Sequence, residues 1–578
     1  MKLVIAEKPS VAMSIAKVLN VSNRKNGYLE GNGYIVSWCI GHLVGLANAD
    51  EYEEKYKTWR MEDLPIIPKN WKLTVFKQTS KQFNLIKKLM NDNRVEEVIC
   101  ATDAGREGEL IFRLVYEKAN CNKPIKRLWI SSMEETAIKE GFTNLKSGDE
   151  YLSLYKSALS RAKADWIVGI NATRLFTTLY KNLLSVGRVQ TPTLSMMVDR
   201  EVNIEQFKSE PFYHLALKLD GFSIESNRFQ RKDDVENLLE SINEDYVKCI
   251  KVERQEQRLK PPLPFDLTTL QREANRYFGY TAKQTLDYLQ SLYEKKWITY
   301  PRTDSRYITE DMKDTVMEII KLIGADVDIE KPNIKRICNN NKVTDDHAII
   351  PTLKTKELDL KELPRTEQQL YGLICTKLLT SVLEECIEQK VKVIFEVEGF
   401  KFTSSWKETI RIGFRDIENR YLDQFKDHRE PEENKKIPQI EEGKLYRIEN
   451  RSIKEGKTTP PKHFTEDTLL SAMERAGNEE LDESLDIEKR GLGTPATRAG
   501  IIEKLIAVGY LERKNKKLIA TKKAYHLITV VPEELKSPKL TSDWENKLTK
   551  IASGEYSEEK FINEIEGSFT IILNKYSI

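Results

Sequence analysis

No two cysteines in the 578-residue chain are spaced as Cys-x-x-Cys; the seven are scattered from Cys39 to Cys386. That scatter argues against a zinc ribbon and a disulfide framework, and it points to a reducing, cytoplasmic compartment. Long apolar runs are missing too. None approaches the roughly 20 residues of a membrane span, and no apolar stretch behind basic residues marks a secretory signal. There is no Gly-x-x-x-x-Gly-Lys-Ser/Thr loop, so the usual ATP phosphate cradle is excluded. An excess of one charge is also missing: 92 Lys and Arg face 90 Asp and Glu, a net charge of +2. A protein that grips phosphates is expected to be basic somewhere. Net charge averages over faces, however, and Arg513-Lys514-Asn515-Lys516-Lys517 with Lys522-Lys523 is a local basic cluster.

What is present points to several domains, because 578 residues exceed one hydrophobic core. Leu3-Val4-Ile5-Ala6 reads as a short buried strand. Pro9 and Ser10 then open a helical pattern through Val11, Ile15, Ala16 and Leu19. Glu7 and Lys8 therefore fall where a strand ends and a helix begins, the usual ligand position of a parallel α/β sheet. The pattern recurs at Val98 to Leu110. Asp103 follows the second strand, and Glu107 and Glu109 fall in the next helical turn. Such acids favour a helix N-terminus by themselves. Facing Glu7 from a neighbouring strand end, they can also hold a hard divalent ion such as Mg²⁺.

A second site lies far downstream, in Trp297-Ile298-Thr299-Tyr300-Pro301-Arg302-Thr303-Asp304-Ser305. It offers a phenol nucleophile and, two residues on, a guanidinium whose planar fork matches two phosphate oxygens. A tyrosine with an ordinary pKa of about 10 needs such help to attack a phosphodiester. The same string also reads as a strand with a polar turn, and alone it decides nothing.

Periodicity divides the rest. Residues 1–148 alternate strand and helix. Residues 149–207 and 466–578 are mainly helical. Residues 208–261 and 387–465 carry period-two strand patterns, expected to combine into one β-rich domain split by an inserted block, 262–386. The fold class expected is multidomain, α/β plus α plus β. Arg127 to Ile130 is expected as a further strand, with Ser131-Ser132 opening the next helix. Ala496 to Ile506, capped by Thr494-Pro495 and stopped by Gly509, precedes a basic hairpin, a winged-helix plan. Ala282 to Lys295 followed by Trp297 and Ile298 repeats it. Leu289, Leu292 and Trp297 align with Ile502, Leu505 and Tyr510, giving two winged-helix-like units, one carrying Tyr300. Glu430 to Lys444 reads as a charged surface loop.

The Glu7-Lys8-Pro9-Ser10 start and the Thr102–Leu110 loop resemble a Toprim domain. Tyr300-Pro301-Arg302-Thr303-Asp304-Ser305 is similar to the nucleophile motif of type IA DNA topoisomerases. Further strings follow in that family's order. They are Gly187–Leu194, Pro261–Phe265 with Thr268–Gln271, Asp346–Thr352 and Gly493–Arg498. Together they span nearly the whole chain. The wording resembles the topoisomerase III branch, here expected without the C-terminal zinc ribbons that many members carry.

The resemblance implies a closed toroid of four domains. It implies that Tyr300 forms a 5′-phosphotyrosine link, that Arg302 and Lys8 stabilise the phosphate, and that Glu7 is the acid for the leaving oxygen. It implies that His347 hydrogen-bonds near the scissile bond. Arg161, Arg174, Arg188, Gln190, Thr191, Ser305, Thr497 and Arg498 would contact DNA. Mg²⁺ would sit near Glu7, Asp103 and Glu107. The family's Asp-x-Asp-x-Glu loop has Gly105 at its middle position here, so weaker or single-ion Mg²⁺ binding is expected. Such an enzyme needs no ATP, because the ester retains the bond energy. Expected substrates are single-stranded and negatively supercoiled or catenated DNA. The protein is expected to be a cytoplasmic, nucleoid-associated monomer, with a helicase or single-strand-binding protein as partner. Two other classes fit fewer of the strings: a metal-dependent nuclease, and a catalytically weak single-strand-binding protein.

Overall fold

The computed structural model describes residues 1–131, 133–324, 332–343, 346–357, 359–424, 437–476 and 491–576. Ser132, Asp345 and the 430–436 part of the expected charged loop lie outside the described residues.

The N-terminal sheet is built on the strand Lys2–Ala6. It runs parallel to Tyr34–Trp38 on one side and Glu97–Ala101 on the other. Across the sheet the strands are Asn23–Lys25, Tyr28–Gly31, Tyr34–Trp38, Lys2–Ala6, Glu97–Ala101, Ile125–Arg127 and Lys146–Ser147. Leu3 to Ala6 are fully buried, which explains their uninterrupted apolar run. Pro9 opens the following helix, Pro9–Val18, where a missing N–H costs nothing. The expected strand Arg127–Ile130 ends early, at Arg127, and the next helix starts only at Glu135. Two contacts explain the difference. Trp129 leaves the sheet to stack on Tyr151 at 4.8 Å, and the Ser131 carbonyl accepts from the Tyr300 N–H instead of starting a helix.

Strands from either side of the inserted block pair directly. Tyr246–Leu259 runs antiparallel to Cys386–Val397, which pairs with Phe400–Arg411. A second sheet joins Pro211–Leu219 to Phe222–Glu225 and Asn450–Lys457. Both sheets contribute to one core, with Leu215 and Leu217 from one and Val393, Phe395 and Phe402 from the other.

The repeat is visible in local geometry. Helices Ala282–Glu294 and Pro495–Ala507 both begin with a threonine capping box, at Thr281 and Thr494. Both end alike. Trp297 N–H donates to Leu292 O and Tyr510 N–H to Leu505 O, each at 2.9 Å. The turn residue has positive φ in both, 70° at Lys296 and 83° at Gly509. Beyond the turn they differ. Leu511–Lys514 and Lys517–Ala520 form the expected basic hairpin. Trp297 and Ile298 form none: Ile298 bridges Pro351 and Thr299 N–H donates to Ile350 O. Pro301 lacks the N–H that would continue a ladder, so the partner comes from far downstream.

The two units meet through charge. Asp467 accepts from Arg272 and Arg276, both at 3.0 Å, and its own N–H donates to Asn275 Oδ1 at 3.1 Å. Glu466 accepts the Ala282 N–H, and Arg498 donates to Thr268 Oγ1 at 2.8 Å. Among the described residues, Ala282 is the single member of 262–386 in the large core of the helical part.

Asp266 caps the helix Leu267–Phe278 by accepting from Thr269 N–H at 2.6 Å. Burial pushes its carboxyl up to about 6 against the hydrogen bonds from Thr269. A carboxyl raised in the folded state stabilises the fold below its unfolded pKa, and that contribution is lost as pH rises through 6. Asp266→Asn keeps the cap without the charge. Its stability relative to the parent is expected to grow between pH 4 and 6 and level off at about 2–3 kcal/mol, at roughly 1.4 kcal/mol per pKa unit. Thermal melts across that range test this, and a pH-independent difference would contradict it.

Candidate active site

Tyr300 lies where the N-terminal sheet meets the inserted block. Its N–H donates to Ser131 O at 3.0 Å, and its ring packs edge-on to Tyr293 at 5.4 Å. It is 6 % exposed. Burial pushes its phenol well above the usual value, and the charges of Asp103 and Glu7 add to that; only Arg302 opposes. Arg302 is the hub. A single nitrogen, Nη1, lies 3.4 Å from the Tyr300 hydroxyl, 3.4 Å from Asp103 Oδ2 and 4.0 Å from Glu7 Oε1. Its own charge is locked in by the same neighbours.

Glu7 is buried, and its Oε2 accepts the Asp103 N–H at 3.2 Å. Burial first, then the Asp103 charge, push its carboxyl up to about 8; Arg302, the Asp103 N–H and Lys8 pull the other way. These surroundings favour the protonated form of Glu7. Lys8 Nζ sits 3.3 Å from Glu294 on the helix before the tyrosine. Glu7, Lys8, Tyr300 and Arg302 line a cleft of about 470 Å³, together with His42, Glu107, Arg161, Asp304, Asp346 and Thr497.

The acids are not gathered as expected. Among the described residues no three of His, Cys, Asp or Glu converge as a metal cluster. Glu107 does not join Glu7 and Asp103; its Oε1 lies 2.6 Å from His42 Nε2. Glu109 turns inward to Arg113 at 2.9 Å and Arg127 at 3.0 Å. Gly105, at φ 150°, has open space where a Cβ would stand. That backbone region suits glycine alone, so an aspartate could not take its place on the same path. Mg²⁺ commonly takes one or two carboxylates and keeps its waters. Asp103 and Glu107, hard oxygen donors on one loop, fit that description, and a three-carboxylate site with Glu7 does not.

The residues expected to touch DNA divide in two. Arg161, Gln190 and Thr497 line the cleft or the cavity of about 230 Å³ that adjoins it. The others are engaged by the protein itself, although Arg188 also borders the smaller cavity. Arg174 donates to Tyr56 O at 2.8 Å over the Trp59 ring. Arg188 binds Asp165 at 2.7 Å and Glu545 at 2.9 Å. Arg498 donates to Leu492 O, Gly493 O and Thr268. Thr191 Oγ1 accepts the Gly187 N–H, and Ser305 donates to Lys342 O. These side chains shape the loops that border the cleft. His347 is buried, burial lowers its pKa, and Nδ1 is 2.8 Å from Ala348 O. Its neighbour Asp346 lines the cleft, and His347 does not.

Sequence reasoning passed over His42. No local signal marks it: strand Tyr34–Trp38 runs parallel to Lys2–Ala6, with Trp38 opposite Ala6, and only this pairing brings Ile40 to His42 to the same sheet edge as Glu7.

With this geometry in view, similarity to known proteins carries weight. Residues 149–563 match the family described as DNA topoisomerase, and residues 2–133 match the Toprim domain. DNA topoisomerase 3 of Bacillus subtilis (strain 168) is 42% identical over 588 residues, covering 98% of this chain and 80% of that protein. DNA topoisomerase 3 of Bacillus anthracis is 41% identical with the same coverage. Among solved structures, full-length topoisomerase I from Thermotoga maritima superposes with a TM-score of 0.76 over all of this chain and 91% of that one; at 24% identity it shows the shared toroid-type fold. A Toprim sheet, a buried tyrosine beside an arginine and a matching family over most of the length together place the chain among the type IA DNA topoisomerases.

Proposed function

We propose that the chain cleaves one DNA strand with Tyr300, lets another strand through, and reseals the break without ATP. The observation that carries this reading is the Arg302 nitrogen shared by Tyr300, Asp103 and Glu7. Tyr300 Oη forms a bond to phosphorus as the bond to the 3′-oxygen breaks. The leaving oxygen takes the proton of Glu7, and the phenol proton passes to solvent. Arg302 and Lys8 hold the charge that builds on the phosphate. For resealing, the 3′-hydroxyl attacks the phosphotyrosine, ionised Glu7 accepts its proton, and Tyr300 leaves and is reprotonated. Asp103 and Glu107 would hold Mg²⁺ when it binds, and the ion would supply further positive charge to the reaction. Arg161, Gln190 and Thr497 lie along the path of the strand entering the cleft. The substrates are single-stranded and negatively supercoiled or catenated DNA, handled by a monomer in the cytoplasm.

The test is relaxation of a negatively supercoiled plasmid with Mg²⁺ and no ATP, with a denaturing quench in parallel. Changes in single linking steps, with a DNA 5′ end bound to Tyr300, are expected. Cleavage without an adduct would make the chain a nuclease. Single-strand binding with neither activity would make it a binding protein, with Gly105 as the cause.

A further inference from the structure

Glu545 belongs to no motif in the sequence, yet it sits directly behind the cleft. It lies on the helix Pro538–Ala552 and is 1 % exposed. Its carboxylate stands between two guanidinium groups. Oε2 is 3.0 Å from Arg161 Nη2, and Oε1 is 2.9 Å from Arg188 Nη1. Burial acts against its charge, but the two arginines outweigh it and keep the carboxyl ionised.

The two arginines are held differently. Arg188 has a second carboxylate, Asp165 at 2.7 Å, and its carbonyl accepts from Thr541 Oγ1 at 2.8 Å. The Trp544 ring lies 6.0 Å beneath it. Arg161 has none of this. Among the described residues its one hydrogen bond goes to Glu545, and its Nε is buried without a partner. Arg161 also lines both the main cleft and the adjoining cavity, which the threonines Thr494 and Thr497 border as well. Its guanidinium therefore stands at the junction of the two spaces, and among the described residues Glu545 is the one hydrogen-bond partner that orients it.

We infer that Glu545 is a positioning residue. It holds the Arg161 guanidinium at the junction of cleft and cavity, where it meets a backbone phosphate of the bound single strand. The inference rests on the DNA-cleaving reading above. A guanidinium held in one orientation binds phosphate without losing side-chain freedom on contact, so releasing it weakens binding even though the charge remains. Glu545 touches neither Tyr300 nor Glu7, so the chemical step is unaffected once DNA is bound.

The experiment uses the full chain and a single-stranded oligonucleotide. Binding at several salt concentrations and the single-turnover cleavage rate at saturation are measured for the parent, Glu545→Gln, Arg161→Gln and the double variant. Glu545→Gln is expected to weaken binding by about tenfold and to lower the salt slope by about one, the signature of a lost phosphate contact. The saturated cleavage rate should equal that of the parent. In the Arg161→Gln background the second substitution should add nothing, because the two act as one unit. Glu545→Asp is the companion variant. It keeps the charge but withdraws the carboxylate by one methylene, while Arg188 retains Asp165 and Arg161 has no second carboxylate in the hydrogen bonds described, and it should show the same binding loss. A lowered melting temperature with unchanged binding overturns the inference, as does full additivity with Arg161→Gln or parental binding by Glu545→Asp. If the parent itself neither binds nor cleaves the oligonucleotide, the proposed function fails instead.

Discussion

Tyr300→Phe is expected to form no covalent adduct with DNA and to lose relaxation by a factor of at least about 10⁴, the scale seen when a nucleophile is removed. The substitution is otherwise gentle. The ring stays packed on Tyr293, and the backbone N–H still donates to Ser131 O, so the fold should be retained. The lost atom makes one long contact, 3.4 Å to Arg302, and contributes little to stability. Single-strand binding should stay within about twofold, since binding depends on backbone charge and base stacking. The measurement is a denaturing gel of 5′-captured DNA beside a binding titration. An adduct formed by the phenylalanine protein would move the nucleophile to another residue.

Arg302→Ala should lower the cleavage rate by about 10² to 10³, the range for removing one preorganised donor to a developing negative charge. Three things happen together. The phosphate loses its fork, and the Tyr300 phenol loses the one neighbour that opposes its raised pKa. Glu7 and Asp103 are left beside each other without the cation between them. Arg302→Lys keeps the charge but not the planar fork, so its rate should fall between the two. Single-turnover cleavage of an oligonucleotide, with melting temperatures as a control, reads this directly. Parental rates in the alanine protein would show that Arg302 serves the fold only.

What the sequence made legible was local. The Leu3–Ala6 run and the proline after it place Glu7 at a strand end, because a fully buried strand needs no alternation. The aligned Leu292–Trp297 and Leu505–Tyr510 spacings mark the same turn twice, since both helices close with the same hydrogen bond. The rest depended on long-range contacts. Nothing near Glu107 announces His42, 65 residues earlier. Arg188 and Arg498 read as DNA contacts because an arginine in a motif looks available; their burial and their partners from far along the chain, Glu545 and Thr268, are shown only by the packed chain. The bridge partner of the tyrosine segment, Pro351, lies more than 50 residues on, where local periodicity carries no signal.

The seam between the tyrosine unit and the helix Glu466–Arg475 is held by Asp467, Arg272, Arg276, Glu466 and Arg498, with Ala282 as its contribution to the large core. Apolar surface exposed to water costs about 25 cal/mol per Å². Charged groups regain their hydration instead, so a separated ion pair loses little at a wet surface. The side chains named here would be wettable on either face once parted. Were the proposed strand passage to part the ring here, the joint would expose charges that water can take up and that can pair again on closing.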